Sequence, residues 1–414
     1  MNIPKKYKYI IELGKALHIY GIPSYKIQTY LTKVSKTQGI HGTFMDLPTW
    51  INYVFYEDDK SYNYIECIPP GVLNLGALSR IEEVTNKVIL KKISNDDVEN
   101  ELELINKEAK KLNHFILTLS YAIGAGAFSL MIGSNWISLI FAAVLGALVY
   151  LFVFLSTKSS YFETVLESLI SFVVTVLACL LYLVFPEFNV GITILSAIII
   201  FIPGLAITTA LEEITSKNLV SGGAKLFDAI ISLFKQFFGV LLGIGIMSSV
   251  IDFKQLVHIS DLPKWIMFCG IPLFSISLLA IFQVRKKDML LGVITGGSVF
   301  FLTVLFSGFG VLMSTFIGTI AAVAISNLFS RITKSPKTVY LTQGIIMLVP
   351  GSKSFMGLSN SFLNSSIITA DNLYEQVAFI LMGIIGGLLF VKHTFNLVDN
   401  KIKFKSKKKD VSIV

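Results

Sequence analysis

The chain has 414 residues, 53% of them hydrophobic and only 15% charged, with 35 Lys+Arg against 27 Asp+Glu. Soluble domains carry about a quarter charged residues, so a wholly soluble protein is excluded. Residues 1–114 hold 15 of the basic and 14 of the acidic residues, which describes a near-neutral polar head followed by an apolar body with a basic excess.

In the head, Ile10, Leu13, Leu17 and Tyr20 recur at helical spacing until Gly21-Ile22-Pro23 breaks the pattern, and Ser24 is placed to cap a second helix through Lys36. Trp50 to Tyr56 and Ser61 to Cys67 alternate around the acidic turn Glu57-Asp58-Asp59-Lys60, which predicts a β-hairpin. After Pro69-Pro70-Gly71 the helical period returns from Val72 to Leu90, and Ser94 opens a further helix to Lys111. Residues 1–114 therefore read as a small α+β domain. Lys5, Lys6 and Lys8 precede an amphipathic stretch rather than a cleavable apolar core, so this domain is expected to stay in the cytoplasm. Asp46, Thr49, Glu66, Arg80, Glu82 and Glu83 are its polar candidates, and His18 and His41 stand apart from one another. The chain contains no nucleophile elbow, no zinc-protease helix motif, no Cys-x-x-Cys and no phosphate-binding glycine loop. Cys67, Cys179 and Cys269 are scattered and read as apolar residues. No catalytic residue, metal or cofactor is expected, and the head reads as a regulatory or assembly domain.

A bilayer span needs about 20 mostly apolar residues. Ten such segments follow, at 115–133, 136–155, 164–185, 189–209, 224–250, 265–284, 289–306, 309–329, 338–357 and 375–396. With the head inside, the inner loops and the tail hold Lys158, Lys217, Lys225, Arg285, Lys286, Lys287, Arg331, Lys334, Lys337 and seven lysines from Lys392 onward, against Lys254, Lys264 and Lys353 outside. This bias puts both termini in the cytoplasm of a multi-pass protein of the inner membrane. The lysines of the 399–414 tail suit anionic lipid headgroups, and nucleic acid is excluded as a partner.

The body contains an internal repeat. Residues 115–250 and 265–398 each supply five helices, and the fourth of each carries a Pro-Gly pair, Pro203-Gly204 and Pro350-Gly351. Five is odd, so the second half enters from the opposite side and the repeats are inverted. Proline removes a backbone donor and glycine permits a non-helical turn, leaving polar backbone that inside a membrane must face a cavity or a ligand. Paired broken helices in inverted repeats point to a transport site near the midplane. Gln343, two turns before Pro350, is placed to hydrogen-bond a substrate or a neighbouring helix. Intramembrane ionisable groups are functional candidates because of their cost. Lys225, Asp228, Ser232 and Lys235 share one face of the fifth helix, and Glu163 and Glu167 begin the third. Gly239 and Gly243, Gly292 and Gly296, and Gly386-Gly387 are expected to allow close helix packing.

Several runs resemble the threonine/serine exporter family: Gly21-Ile-Pro-Ser-Tyr-Lys-Ile-Gln28, Pro48-Thr49, Gly71-Val-Leu-Asn-Leu-Gly-Ala-Leu-Ser-Arg-Ile-Glu-Glu83, Ile202-Pro-Gly-Leu-Ala-Ile-Thr-Thr-Ala-Leu211, Asn218-Leu-Val-Ser-Gly222 and Leu348-Val-Pro-Gly-Ser352. The resemblance covers nearly the whole chain. It implies a cytoplasmic head, ten helices and export of small amino acids by secondary transport driven by the proton gradient. Relatives in that family include two-component bacterial succinate exporters and fungal pheromone-regulated membrane proteins. Family heads show Arg-x-Glu where this chain has Lys26-Ile27-Gln28, which argues against hydrolysis. An Arg-Asp pair after the first Pro-Gly is replaced here by Glu212-Glu213, which leans toward zwitterionic substrates. The resemblance makes Pro203, Gly204, Thr208, Thr209, Pro350, Gly351 and Ser352 the frame of the substrate site, to which the position of Gln343 before Pro350 adds that residue. Asp228 or Glu212 is the proton-responsive group, with Glu167 and Lys235 as further candidates.

The expected function is a secondary exporter of threonine, serine or similar amino acids, and not an enzyme. Export of a small dicarboxylate such as succinate is the alternative, followed by a structural or signalling role and by a membrane-bound hydrolase. Expected partners are a small-molecule substrate, amino acid or organic acid, and membrane lipids, with a homo-oligomer allowed.

Overall fold

A computed structural model describes residues 4–187, 189–251, 262–348 and 375–391. Pro350, Gly351, Ser352 and the basic tail lie outside the described residues.

The head begins with α1 (Lys5–Ile19) and α2 (Ser24–Thr37), continues through strands β1 (His41–Leu47), β2 (Trp50–Glu57) and β3 (Lys60–Cys67), and ends with α3 (Leu75–Ile89) and α4 (Asn95–Ala109). The strands form an antiparallel sheet in the order β1-β2-β3. Register runs Tyr53 to Tyr64 and Glu57 to Lys60 across the expected hairpin, with Asp58 in the left-handed region at φ 49° in its turn. One sheet face presents Phe44, Ile51, Tyr53 and Phe55 to Tyr9, Leu13, Leu17, Ile27 and Leu31 from the helices, and these side chains form a single apolar core. Strand β1 was not anticipated as such. Its inward positions include buried Asp46, whose Oδ1 lies 2.7 Å from Nδ1 of buried His18, while His18 Nε2 lies 3.2 Å from the Pro69 carbonyl. Ser94 caps α4 as its sequence predicts, accepting from the Asp97 N–H. Ser24 does not cap α2. Pro23 holds that position and Ser24 is the first helical residue, because its polar groups are engaged outside the head.

The body comprises α5 (His114–Met131), α6 (Trp136–Ser156), α7 (Ser160–Val184), α8 (Val190–Ile198), α9 (Gly204–Thr215), α10 (Leu219–Met247), α11 (Lys264–Ile281), α12 (Lys286–Leu305), α13 (Val311–Thr333), α14 (Lys337–Leu348) and α15 (Glu375–Val391). Among the described residues six helices are long and apolar enough to cross a membrane, and the bent α8–α9 pair makes a seventh; Trp265–Ile281 within α11 and α15 are shorter apolar helices. Many of their outer side chains are exposed leucine, isoleucine, valine and phenylalanine, as expected of a protein whose solvent is lipid.

Small residues set how closely these helices approach. A Cβ on Gly239 would lie 2.2 Å from the Ser168 carbonyl, and one on Gly243 would lie 2.8 Å from Thr175, so α10 lies directly on α7. The same contact recurs in the second half. Cβ atoms on Gly383 and Gly387 of α15 would meet the Leu312 carbonyl at 2.9 Å and Thr319 at 2.6 Å on α13. Between the halves, Gly124 of α5 faces Ser277 of α11, and Gly270 faces Ala127 and Leu130. Rising residue numbers on one helix meet falling numbers on the other, so α5 and α11 run antiparallel.

Candidate functional site

Helix α8 stops at Ile198, tightens into a 3-10 turn over Ile199–Phe201, and resumes as α9 at Gly204 after a bend of 47°. Pro203 has no N–H to continue the ladder. The break frees the Phe201 carbonyl, which accepts a hydrogen bond from Gln236 Nε2 of α10 at 2.8 Å. Gln236 is fully buried, and its Nε2 also lies 3.2 Å from Ser232 Oγ. Ser232 donates to Glu167 Oε1 at 2.6 Å, and Lys235 Nζ stands 3.7 Å from Glu167 Oε2. A continuous polar connection therefore runs from the break through α10 to a carboxylate on α7.

Of the residues singled out in the sequence, Glu167, Ser232 and Lys235 are brought together with the break. Asp228 is not: it is exposed, next to exposed Phe227 and Ile231. Thr208 and Thr209 donate to the Gly204 and Leu205 carbonyls one turn back, which leaves their oxygen lone pairs as the groups available to a ligand. Gln343 is fully buried on α14 with neither its Nε2 nor its Oε1 hydrogen-bonded. Ser196 on α8 is likewise fully buried with an unpartnered hydroxyl. Both residues stand seven positions before a proline, Pro203 and Pro350. Leu205, just past the first break, joins the apolar cluster of Ile345 and Leu348 on α14, so the two regions adjoin. Gly296 of α12 sits between Ser275 Oγ of α11, buried and unpartnered, and Met347 of α14. Buried polar groups are normally satisfied, so a break flanked by several that are not is an arrangement suited to a polar ligand.

Sequence reasoning passed over Gln236, Ser196 and Ser275. A signal existed for Gln236, which lies one turn past Ser232 on the same stripe.

Glu212 and Glu213 occupy a second polar region, where α9 meets the head. Glu213 is fully buried; its Oε1 accepts from the Ser24 N–H at 2.8 Å and from Lys225 Nζ at 2.6 Å. Ser24 Oγ and Ser221 Oγ are 2.7 Å apart. Tyr25 donates its hydroxyl to Glu212 Oε1 at 2.5 Å, and burial together with that carboxylate pushes the phenol well above its ordinary range. The head also grips the other half. The Leu75 N–H donates to the Phe282 carbonyl, Asn74 Nδ2 donates to Gln283 Oε1, and Arg285 Nη1 donates to Glu83 Oε1 at 2.7 Å. Arg285 extends from there to Asp288, a fully buried carboxylate that also accepts from Ser335 Oγ at 2.6 Å and Tyr340 Oη at 2.7 Å.

These helices define a multi-pass membrane protein with one broken helix, flanked by buried polar groups that lack partners. Comparison with known families is more specific: the model of the threonine/serine exporter matches residues 8–247, and a second, Threonine/Serine exporter ThrE, matches residues 267–394. This chain belongs to the threonine/serine exporter family. It is 27% identical over 386 residues to pheromone-regulated membrane protein 10 of Eremothecium gossypii, covering 91% of this chain and 51% of that protein. It is 24% identical over 391 residues to an uncharacterized protein of Schizosaccharomyces pombe, covering 90% and 51%. The Saccharomyces cerevisiae pheromone-regulated membrane protein 10 is 23% identical over 393 residues, with 91% and 50% covered. The chain thus spans about half the length of the curated relatives it matches. No solved structure matches it.

Proposed function

We propose that this chain is a secondary transporter that exports a small polar metabolite, of the threonine or serine type, across the cytoplasmic membrane in exchange for protons, and that it is not an enzyme. The observation that carries this reading is the break at Pro203-Gly204, whose freed carbonyl is held by Gln236 and tied to Glu167. It faces α14, which bears unpartnered Gln343. In this reading the body is ten spans in two inverted repeats, the head is cytoplasmic, and the substrate sits between the two Pro-Gly pairs. The antiparallel run of α5 and α11 and the glycine contact repeated in each half support the inverted arrangement.

The amino-acid carboxylate is drawn to the N-terminal end of α9, where orphan N–H groups and the helix dipole favour an anion. Its polar side chain reaches Ser196, Thr208, Thr209 and Gln343. Glu167 carries the proton, since it alone of Glu167, Glu212 and Asp228 joins the break through hydrogen bonds; Lys235 tunes it, and Glu212 serves the inner entrance. The test is counterflow in proteoliposomes preloaded with threonine, serine, alanine or succinate, with and without a pH gradient. Accumulation of labelled threonine or serine that is lost in Gln343→Leu is the expected result. Silence with all four compounds, or accumulation unaffected by Gln343→Leu, defeats the assignment.

A further inference from the structure

Where the head meets the body, a cavity of about 440 Å³ remains, lined by Tyr25 and Lys26 of α2, Glu212 of α9, Asn327 and Arg331 of α13, and Lys337 of α14. Its other wall is apolar, formed by Leu341, Leu388 and Leu389 among others. The transport reading uses only Glu212 of this lining, at the inner entrance, and leaves Lys26, Arg331 and Lys337 without a role.

The charges do not balance. Lys26, Arg331 and Lys337 face Glu212 in the lining, with Glu82 buried behind Lys26 and Lys337. Glu212 is engaged by the Tyr25 hydroxyl, and Glu82 by Tyr30 and Thr338, so neither carboxylate is closed onto a lysine. The Lys26 and Lys337 ammonium groups repel one another across the cavity. Three cations against two carboxylates, one of them with its charge disfavoured by burial, leave a net positive charge, the complement of an anion. The surroundings define the rest of the ligand. Leu389 lines the cavity and is itself 45% exposed, beside Phe390 at 55% on the outer face of α15, so the cavity opens onto the lipid-facing surface. A group held here has its charge on Lys26, Arg331 and Lys337 and its apolar part along α15.

We propose that this cavity binds the phosphodiester headgroup of an anionic phospholipid, which joins the head, through Lys26, to the second half of the body, through Arg331 and Lys337. Basic pockets between membrane helices at the cytoplasmic surface are suited to such headgroups. The lipid relieves the repulsion between the two lysines and lets its chains continue down the outer face of α15. Bound lipid therefore seats α2 more firmly on the body.

The full chain, reconstituted in phosphatidylcholine alone or mixed with phosphatidylglycerol in equal parts, tests this. Two readouts apply: phosphatidylglycerol retained on extraction into detergent, by native mass spectrometry, and hydrogen exchange of the 21–30 segment. The variant K26Q/R331Q/K337Q is expected to retain phosphatidylglycerol on the order of a hundredfold less tightly, at ~1 kcal/mol for each basic residue lost and 1.4 kcal/mol per tenfold. The 21–30 amides should exchange more slowly with phosphatidylglycerol in the natural chain and equally in both lipids in the variant. The charge-keeping K26R/R331K/K337R should behave like the natural chain, which separates charge from misfolding. All three carry the same basic tail, so its own lipid binding cancels. Equal retention in the natural chain and the charge-removing variant, or loss in both triple variants, overturns the proposal. Slowing by soluble glycerol phosphate in phosphatidylcholine alone would assign the site to a free phosphate and overturn the lipid assignment.

Discussion

Removing the Glu213 carboxylate tests how the head is held. Glu213 is fully buried and accepts from the Ser24 N–H at 2.8 Å and Lys225 Nζ at 2.6 Å. In Glu213→Ala the Ser24 N–H loses its acceptor, which costs about 1–3 kcal/mol. Breaking a buried ion pair costs about 3–5 kcal/mol, but the Lys225 side chain is 28% exposed and reaches solvent, so only a fraction of that applies. The Tyr25–Glu212 bond and the second-half contacts at Gln283 and Arg285 remain. The expected loss of docking free energy is thus about 2–4 kcal/mol, equivalent to a rise in the undocked population of roughly 30- to 700-fold at 1.4 kcal/mol per tenfold. Hydrogen exchange of the 21–30 segment in reconstituted protein reads this directly, with the 50–57 strand as an internal reference that should not change. Glu213→Gln keeps an oxygen for Ser24 and should lose less than half as much. Protection of 21–30 unchanged in Glu213→Ala, or equal loss in the Ala and Gln variants, refutes the reasoning.

Gln236→Leu strips the partner from the Phe201 carbonyl, a cost of about 1–3 kcal/mol, and should cut counterflow about tenfold or more with membrane insertion intact; unchanged flux would detach the break from transport. Gly239→Val and Gly387→Val force side chains into gaps where even a Cβ would lie 2.2 Å from the Ser168 carbonyl or 2.6 Å from Thr319. Each should lower thermal stability by about 1–3 kcal/mol, while Gly245→Ala, with nothing within 4 Å of its Cβ, should be neutral in the same melting experiment. Asp288→Ala leaves Arg285, Ser335 and Tyr340 without their common acceptor and should cost about 3–5 kcal/mol, measured as loss of folded protein in detergent. Glu82 titrates above its ordinary 4.5, chiefly because burial disfavours its charge, with one carboxyl oxygen lacking a hydrogen bond. A raised folded-state value means that its contribution is fully present below pH 4.5 and lost as pH climbs through the raised value. Glu82→Gln should therefore flatten the pH dependence of head protection in that window, and an unaltered profile would contradict the burial argument.

Membership of the exporter family, the hairpin around Asp58-Asp59 and the first Pro-Gly break could be read from residues alone, because each is a local signal. A turn, a run of alternating side chains or a missing N–H acts within a few residues. Strand β1 was hidden because Asp46 turns inward to His18, so its alternation reads as polar where a core strand should be apolar. The Ser24 assignment failed for a related reason: a serine before a helical run predicts a cap only while no stronger acceptor or donor competes, and Glu213 and Ser221 arrive from residues nearly two hundred positions away.

The polar stripe on α10 makes the limit of such reading clearest. Lys225, Asp228, Ser232 and Lys235 share a face on any helical projection, and nothing in that projection separates them. Neighbouring helices do. Helix α9 brings Glu213 to Lys225, α7 brings Glu167 to Ser232 and Lys235, and Asp228 falls between those contacts and faces outward. Gln236 continues that stripe one turn past Ser232, but what it does there shows only once the break places a carbonyl 2.8 Å away. Position on the stripe ranked Asp228 above Glu167, whereas hydrogen-bond continuity to Phe201 ranks Glu167 first. If that ordering is sound, Glu167→Gln should abolish the pH dependence of counterflow while Asp228→Asn leaves it in place, and the opposite result would restore the ranking by position.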